Sequence, residues 1–270
     1  MRIFLTDADF ASFERKSVPK SEEGMAKVRL LKDRILFEDD DLLAVSKPPE
    51  LNVHPGDHKT LENSPIEAVS DYLEGRFDTF AFRPSLVHRI DRDTSGIVLI
   101  AKTKRSLDRM LQSLQGGKID KTYLAITVGT PDPESGTIRK KLLRDFDAKN
   151  SDKVRVDESG LPAVTHYRTL KSGISGKYAL VECVIETGRT HQIRVHLASI
   201  GASVLGDKPY GDRGENAFAK RHFGIGRQLL HASKIGFEHP VTKKRLVIEA
   251  PMETDMRSLC ENPDSLVPKR

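Results

Sequence analysis

The sequence has little of what several classes of protein require. Its 270 residues include 2 cysteines and no tryptophan, and aromatic residues make up 6%. Two cysteines, Cys183 and Cys260, do not make a disulfide scaffold, and a chain of this length can bury a core without such cross-links. No apolar run approaches the ~20 residues that cross a bilayer, and the acidic N-terminus is unlike a signal peptide. We therefore expect a soluble protein in the reducing cytoplasm.

Motifs of nucleotide, metal and serine-hydrolase sites are also missing. There is no P-loop, and the Gly-Ile-Gly at 224–226 begins a dinucleotide fingerprint without completing it. No Cys-x-x-Cys pair exists, and His191 and His196 are five residues apart, which is not the spacing of a zinc-binding helix. Ser95 lies in Asp-Thr-Ser-Gly rather than in a Gly-x-Ser-x-Gly turn. The sequence therefore predicts no metal site and no serine hydrolase.

The charge balance is only slightly basic. There are 44 lysines and arginines against 39 acidic residues, a net charge of +5. A surplus of this size permits a polyanionic partner without requiring one, because many proteins carry it on a solvated surface. The low aromatic content argues against extensive base-stacking platforms. Composition alone therefore leaves nucleic-acid binding open.

Short strand-like runs are mixed with a few helical segments, without regular βαβ alternation. Strands are predicted at residues 35–38 and 42–45, which form a hairpin, and at 97–101, 123–128, 178–185 and 246–249. Helices are predicted at residues 64–73, 106–114 and 191–200, the last capped by Thr190. This pattern favours an α+β fold with a mixed, largely antiparallel central sheet, flanking helices and an active-site cleft.

The same pattern predicts one large domain. Residues 1–34 are polar and irregular, as in an N-terminal arm or linker. Residues 35–254 are expected to form a single catalytic domain, with no linker inside it, and residues 255–270 a C-terminal tail.

The densest group of reactive side chains lies at residues 87–96, Val-His-Arg-Ile-Asp-Arg-Asp-Thr-Ser-Gly. It places carboxylates between arginines in a loop that leads into the predicted 97–101 strand, and loops on rigid elements commonly carry catalytic groups. The same composition also suits an ordinary turn with weak surface ion pairs. Taken alone, the segment leaves both interpretations open.

This segment resembles the signature of the RluA-type pseudouridine synthases, and further motifs of that family follow in order. They are Val45-Ser46-Lys47-Pro48 with His54-Pro55, Lys121-Thr122-Tyr123, the Glu-Thr-Gly-Arg-Thr-His-Gln-Ile-Arg-Val-His run at 186–196, Leu205-Gly206-Asp207 with Tyr210-Gly211, Leu230-His231-Ala232 and Ile248-Glu249-Ala250-Pro251. The resemblance covers residues 35–253. It implies an enzyme that isomerises uridine to pseudouridine in structured RNA, either ribosomal or transfer RNA, and that needs no cofactor.

The resemblance also implies catalytic roles. Asp91 corresponds to the catalytic aspartate, Tyr123 to the aromatic that packs on the target base and helps to move its C5 proton, and Arg194 to the partner of the aspartate. Arg89 corresponds to a residue that holds the RNA beside the pocket. Asp93 corresponds to no catalytic or RNA-binding residue of the family and is interpreted as an acidic residue of the turn or of a helix cap.

Two further arginines, Arg92 and Arg189, complete the set of RNA-binding cations expected around this pocket. If they gather there, the distribution of charge matters more than its total. We then expect a basic cleft around Asp91 on an otherwise mixed surface.

The chemistry of this isomerisation is consistent with the residues. Breaking the N-glycosidic bond, turning the uracil and forming a C–C bond involves no redox change and no external group. One carboxylate suffices, either by attack at C1′ or by deprotonation of the ribose to a glycal-like intermediate, and both routes stay open. Glycoside hydrolysis uses a second carboxylate to activate water. This isomerisation does not, because water must be excluded from the site or the base would be lost. A carboxylate in a dry pocket does need a cation beside it.

Two features depart from the family pattern. Glu50 stands where the family usually has glycine, in Lys-Pro-x-Gly, and a glutamate adopts a positive φ angle poorly. Only about 34 residues precede the predicted domain, too few for the S4-type RNA-binding domain of many relatives. Target choice is then expected to depend on the catalytic domain, its arm and inserts such as residues 212–227.

Alternative interpretations remain for single residues and for the whole chain. Tyr123 can be a packing aromatic of a sheet and Arg194 a solvated helix residue. The four histidines near the motifs can be structural hydrogen-bonding groups: His54, His88, His191 and His196.

The chain can also be a non-catalytic RNA-binding module or a small-molecule hydrolase. The motifs look most like relatives that modify large-subunit ribosomal RNA, with transfer RNA as the alternative, and a monomer is the default.

Overall fold

The computed structural model describes residues 32–51, 65–73, 76–77, 79, 82–144, 153–175 and 177–261. Its strands are β1 (Ile35–Glu38), β2 (Leu42–Lys47), β3 (Ser85–Leu86), β4 (Ser95–Ala101), β5 (Asp120–Val128), β6 (Ser135–Arg139), β7 (Leu142–Arg144), β8 (Val154–Val156), β9 (Val164–Ile174), β10 (Tyr178–Ile185), β11 (Leu230–Glu238) and β12 (Arg245–Glu249). Its helices are α1 (Pro65–Leu73), α2 (Lys104–Gln115), α3 (Gln192–Ala198), α4 (Arg213–Phe223) and α5 (Thr254–Glu261). Most of the predicted arm, and His54 with Pro55, lie outside the described residues.

Ten of the described strands form one mixed sheet. Its order is β1-β2-β4-β11-β5-β10-β9-β6, with β12 paired to β11 and β3 paired to β4. The β4–β11 pair is parallel, and the other pairs in the described sheet are antiparallel. A separate two-stranded sheet is formed by β7 and β8. The expected α+β fold with a mixed, largely antiparallel sheet is confirmed.

The centre of the sheet is buried on both faces. Every residue of β4 is buried, since its run Ile-Val-Leu-Ile is apolar without alternation. One face packs under α1 and α3, through Val69 and Leu197 among others. The opposite face packs under α2 through Met110. This double burial gives the loop before β4 a rigid attachment.

The predicted strands correspond to β1, β2, β4, β5, β10 and β12, and the predicted helices to α1, α2 and α3. The other six strands, β3, β6, β7, β8, β9 and β11, were not predicted. The start of α3 also differs from the prediction. That helix begins at Gln192, and His191 occupies its N-cap position with a φ angle of 54° and no side-chain capping hydrogen bond. Thr190 therefore does not cap the helix. The left-handed turn at His191 instead redirects the chain into the helix.

Two helices were not expected from the sequence. Helix α4 lies within the segment interpreted as an insert; the side chain of Asp212 caps it by accepting from the backbone of Glu215 at 2.8 Å. Helix α5 lies where a tail was expected. It buries Met256 and Leu259 against the sheet, so the folded domain continues to at least Glu261. Three apolar residues were too few to show this helix in the sequence.

In the described part of the chain, no helix combines the length and the apolar character needed to span a membrane.

Candidate active site

The predicted catalytic loop ends in a tight turn before β4. The backbone N–H of Thr94 donates to the carbonyl of Asp91 at 3.1 Å, and the buried strand begins one residue later. Gly96 has a φ angle of 107°, and a Cβ there would lie 2.2 Å from the carbonyl oxygen of Ala232 in β11. Glycine is required here because β4 and β11 approach closely in their parallel pairing. The turn that presents Asp91 is therefore built on a closely packed pair of strands.

Buried side chains from distant segments hold this loop in place. The ammonium of Lys47, at the end of β2, donates to the carbonyls of Arg92 at 2.7 Å and Pro48 at 2.8 Å. Arg227 donates to the carbonyl of Asp93 at 3.1 Å. Lys47 is 1% exposed and Arg227 is 5% exposed. The backbone carbonyls on the C-terminal side of Asp91 are thus bound by the basic side chains of Lys47 and Arg227, which hold the loop in place.

The buried Lys47 has a perturbed acidity. Burial lowers its pKa to about 7, and the negative charge of Asp93 partly opposes that effect. A neutral lysine still has two N–H donors, one for each of the two carbonyls it contacts. Its contacts with the loop therefore do not depend on its being protonated.

Arg194 bridges two carboxylates. Its Nη1 donates to Oδ2 of Asp91 at 2.9 Å, while Nε and Nη2 donate to the two oxygens of Asp207 at 2.7 and 2.9 Å. Arg194 is 4% exposed and is carried by α3. Burial alone would lower its pKa, but the hydrogen bonds and charge of Asp207, with the charge of Asp91, raise it. The guanidinium stays charged beside Asp91.

Asp207 is the site residue whose role the sequence did not suggest. It was visible only as part of the Leu-Gly-Asp motif. Its side chain is 0% exposed and it accepts from Arg194 in a bidentate arrangement. The backbone N–H of Tyr210 also donates to it at 3.2 Å, and the Tyr210 ring lies 5.1 Å from the guanidinium. These contacts fix the plane of Arg194, so that its remaining donor points at Asp91.

Tyr123 forms part of the wall next to Asp91. It lies in β5 opposite Cys183 of β10, and it is 8% exposed. It belongs to the main apolar cluster and also lines the cleft, so it packs in the sheet and faces the site. Burial, and then the charge of Asp91, raise its pKa well above the usual range. The phenol therefore stays protonated at neutral pH.

A cleft of about 910 Å³ opens over these residues. A smaller pocket of about 70 Å³ adjoins it, and there Asp91, Tyr123 and Arg194 meet. The cleft and this pocket have Asp91, Tyr123, Arg89 and Arg189 in common.

The three predicted RNA-binding arginines all line the cleft and are exposed. Arg189 donates to the carbonyl of Pro162 at 3.2 Å, and Arg92 donates to the carbonyl of Glu50 at 3.3 Å. The structure thus places five of the six predicted site residues in the lining of the cleft, and the sixth, Arg194, in the lining of the adjoining pocket.

The histidines near the motifs have protein partners. His88 accepts from the backbone N–H of Leu99 at 3.3 Å, and burial, followed by the charge of Lys121, lowers its pKa to about 4. His196 lies between Thr165 and the carbonyl of Lys140, at 2.9 and 3.0 Å. These contacts are those of neutral, structural histidines.

Within the described residues, one group of side chains could offer metal ligands. Atoms of Asp39, Asp41 and His239 lie within 4.8 Å of one another. Protein groups already surround them: Nε2 of His239 lies 2.9 Å from Asp39, and the ammonium of Lys102 donates to the carbonyl of Asp39 at 2.7 Å. A lysine ammonium at this position disfavours a second cation.

The fold and this site define a class of protein. Residues 41–199 match the family model of RNA pseudouridylate synthases. The chain belongs to this family, whose activity is an isomerisation of RNA, and the resemblance seen in the sequence is confirmed.

Individual relatives agree with this assignment. The chain is 37% identical to ribosomal large subunit pseudouridine synthase D of Zymomonas mobilis, over 83% of this chain and 71% of the relative. It is also 37% identical to ribosomal large subunit pseudouridine synthase C of Vibrio cholerae, over 90% of this chain and 73% of the relative. The solved structure of human RNA Pseudouridylate Synthase Domain Containing 4 shares the fold, with a TM-score of 0.69 at 24% identity, covering 88% of this chain and 95% of the other.

Proposed function

We propose that this protein isomerises specific uridines in large-subunit ribosomal RNA, with Asp91 as the catalytic group. The proposal rests on one observation, the position of the Asp91 carboxylate at the small pocket. Asp207 fixes Arg194, and Arg194 binds one oxygen of Asp91. The relatives named as large-subunit synthases support the choice of RNA. We place the protein in the cytoplasm, where such an RNA is found, and infer that it acts as a monomer.

Asp91 has one oxygen left for chemistry. Its Oδ2 accepts from Arg194, whereas its Oδ1 has no hydrogen-bond partner among the described residues. That oxygen can attack C1′ of the ribose or remove a ribose proton, and both routes need an ionised carboxylate. The charged Arg194 beside it compensates the loss of water around the carboxylate.

The target uridine must leave its stack to reach this pocket, which costs a few kcal/mol in paired RNA. Stacking on an aromatic side chain returns roughly 1–3 kcal/mol, and Tyr123 stands in the pocket wall for this purpose. The exposed arginines Arg89, Arg92 and Arg189 hold the surrounding RNA backbone at the mouth of the cleft.

The test is the substitution Asp91→Asn, assayed by tritium release from RNA that contains [5-³H]-uridine. We expect release to fall by about 10³-fold or more, as for other essential catalytic groups, while RNA binding is largely kept. Asp93→Asn is the matched control, because it makes the same change in the same loop. Normal release by Asp91→Asn would rule out the proposed catalytic role.

The RNA target needs its own experiment. Pseudouridines are mapped in total RNA from cells with and without the gene. We expect the loss of one or a few sites in large-subunit ribosomal RNA. A loss confined to transfer RNA would overturn the choice of target while leaving the reaction in place.

A further inference from the structure

Lys121 differs from the other buried lysines of the described chain. Lys47 donates to two backbone carbonyls, and Lys102 donates to Glu38 and to the carbonyl of Asp39. Lys121 is 8% exposed and lines the cleft, and its ammonium makes no hydrogen bond or ion pair with the described residues. Burial of most of the side chain penalises its charge, and an anion bound in the cleft would compensate that penalty.

The position of Lys121 directs this ammonium to the cleft. It lies two residues before Tyr123 on β5, so that both side chains project from the same face of the sheet. Both residues line the 910 Å³ cleft. The ammonium lies 3.6 Å from the place that a Cβ on Gly188 would take, so the absent side chain of Gly188 leaves it accessible.

The charged groups around Lys121 in the described part of the chain form no ion pair with its ammonium. His88 lies close enough for the ammonium to lower the histidine pKa, and the two would repel each other if both were charged. Glu186 also lines the cleft, but it is bound to His166, with 2.7 Å between the carboxylate oxygen and Nε2. Burial lowers the pKa of Lys121, with no acidic group opposing that effect.

The location of Lys121 favours a phosphate, rather than the uracil base, as the part of the RNA that its ammonium binds. The small pocket in which Asp91, Tyr123 and Arg194 meet is not lined by Lys121. Lys121 lines the wider cleft with Arg89 and Arg189, through which the RNA strand next to the flipped nucleotide must pass. Two residues along a strand correspond to roughly 7 Å, so the ammonium is within reach of the phosphate next to a base stacked on Tyr123.

We propose that Lys121 binds a backbone phosphate flanking the flipped uridine and so positions that nucleotide over Asp91. The inference rests on the proposed function. It makes Lys121 a positioning residue, which binds the RNA strand and leaves the bond-breaking step to Asp91.

The experiment measures KM and kcat for tritium release at several salt concentrations, for the wild type, Lys121→Gln and Lys121→Arg. We expect Lys121→Gln to raise KM about tenfold with a much smaller change in kcat. The slope of log affinity against log salt should become shallower by about 0.7–0.9, the value for one phosphate contact. Lys121→Arg should keep the wild-type slope. Lys118→Gln is the matched control, because Lys118 is exposed and does not line the cleft.

The outcomes separate the inference from the proposed function. If the wild type releases no tritium, the proposed function fails. If the wild type is active and Lys121→Gln keeps its KM and salt slope, the phosphate contact is refuted. A fall in kcat at unchanged KM would also refute it, because the lysine would then act on the reacting base. Thermal unfolding completes the test: loss of a charge that has no partner among the described residues should not lower the melting temperature, whereas loss of a structural contact would.

Discussion

At the scale of single residues, Glu50 shows how a departure from the family pattern is accommodated. Its φ angle is 67°, so the chain keeps the left-handed backbone that a glycine would adopt, although a glutamate stands there. The carbonyl of Glu50 accepts from Nε of Arg92 at 3.3 Å, which links this turn to the catalytic loop. The doubt that the sequence raised about this backbone is thereby resolved: the turn is retained, with strain.

We therefore expect Glu50→Gly to stabilise the protein. Relief of the left-handed conformation is worth roughly 1–2 kcal/mol, and the greater freedom of glycine in the unfolded chain offsets part of it. The free energy of unfolding, from urea titration, should rise by about 0.5–1 kcal/mol. Glu158→Gly, at an exposed turn residue without a positive φ angle, is the control and should not stabilise. A fall in stability for Glu50→Gly would contradict the account of strain.

Asp207 is a second instructive residue. Thirteen positions separate it from Arg194, and its effect on Asp91 is transmitted entirely through that arginine. If a buried arginine had only one carboxylate as a partner, its guanidinium could rotate and bind other groups. With Asp207 holding two of its nitrogens, the third is committed to Asp91, the proposed catalytic residue.

At the scale of elements, the loop that carries Asp91 is held by the ends of other segments. Lys47 reaches it from the end of β2, and Arg227 from the residues before β11. Arg227 is in turn held by Asp255 at the start of α5, with distances of 2.7 and 2.8 Å. The C-terminal helix thus supports the active-site loop through one arginine.

The buried Lys47 should make stability depend on pH. Its pKa is about 7 in the folded protein and 10.5 when unperturbed. Between these values the unfolded chain binds a proton that the folded chain does not, so the free energy of unfolding rises with pH across that window. Below about pH 7 the cost of burying the lysine is fully present and constant.

We expect the wild type to gain up to about 1.4 kcal/mol per pH unit across this window relative to Lys47→Met. Urea titrations of both proteins from pH 6 to pH 10 measure the difference. Lys118→Met, at an exposed position, should follow the wild type. Parallel curves for the wild type and Lys47→Met would show that Lys47 is not buried in this way.

At the scale of the whole molecule, the net charge of +5 is distributed unevenly. Several cations away from the cleft are paired with acids, such as Arg168 with Glu182 at 2.9 Å. The cleft itself is lined by Arg89, Arg92, Lys121 and Arg189, against the two acidic residues Asp91 and Glu186. A basic cleft on an otherwise mixed surface is what the motif positions predicted.

RNA binding should accordingly weaken with salt. Three to four cation–phosphate contacts correspond to a slope of log affinity against log salt of about −2 to −4. Arg89→Gln should make that slope shallower by about one, because it removes one phosphate contact. Arg168→Gln, outside the cleft, is the control. Filter binding or fluorescence anisotropy measures the slopes, and equal slopes for both variants would contradict a cleft-centred RNA site.

Much of this protein could be predicted from its sequence because the informative patterns are local. The apolar run at 97–101 is short and rich in β-branched residues, which favours a buried strand, and the spacing of Leu107, Met110 and Leu114 favours the helix α2. The contiguous motif around Asp91 was enough to indicate the family. Caps and short helices were harder: α5 has only three buried apolar residues, and its stability comes from packing.

The amino-acid sequence alone indicated the family and predicted the six site residues, since the motifs that carry them are short and contiguous. The distribution of strand and helix patterns indicated the class of fold. The tertiary structure decided which charges are paired. It placed Asp207 against Arg194 and Lys47 under the loop, and it left Lys121 in the cleft with no partner among the described residues. These relations join residues that are far apart in the chain. Whether a buried charge is satisfied depends on what the fold brings within about 3 Å of it, and no spacing in the sequence specifies that distance.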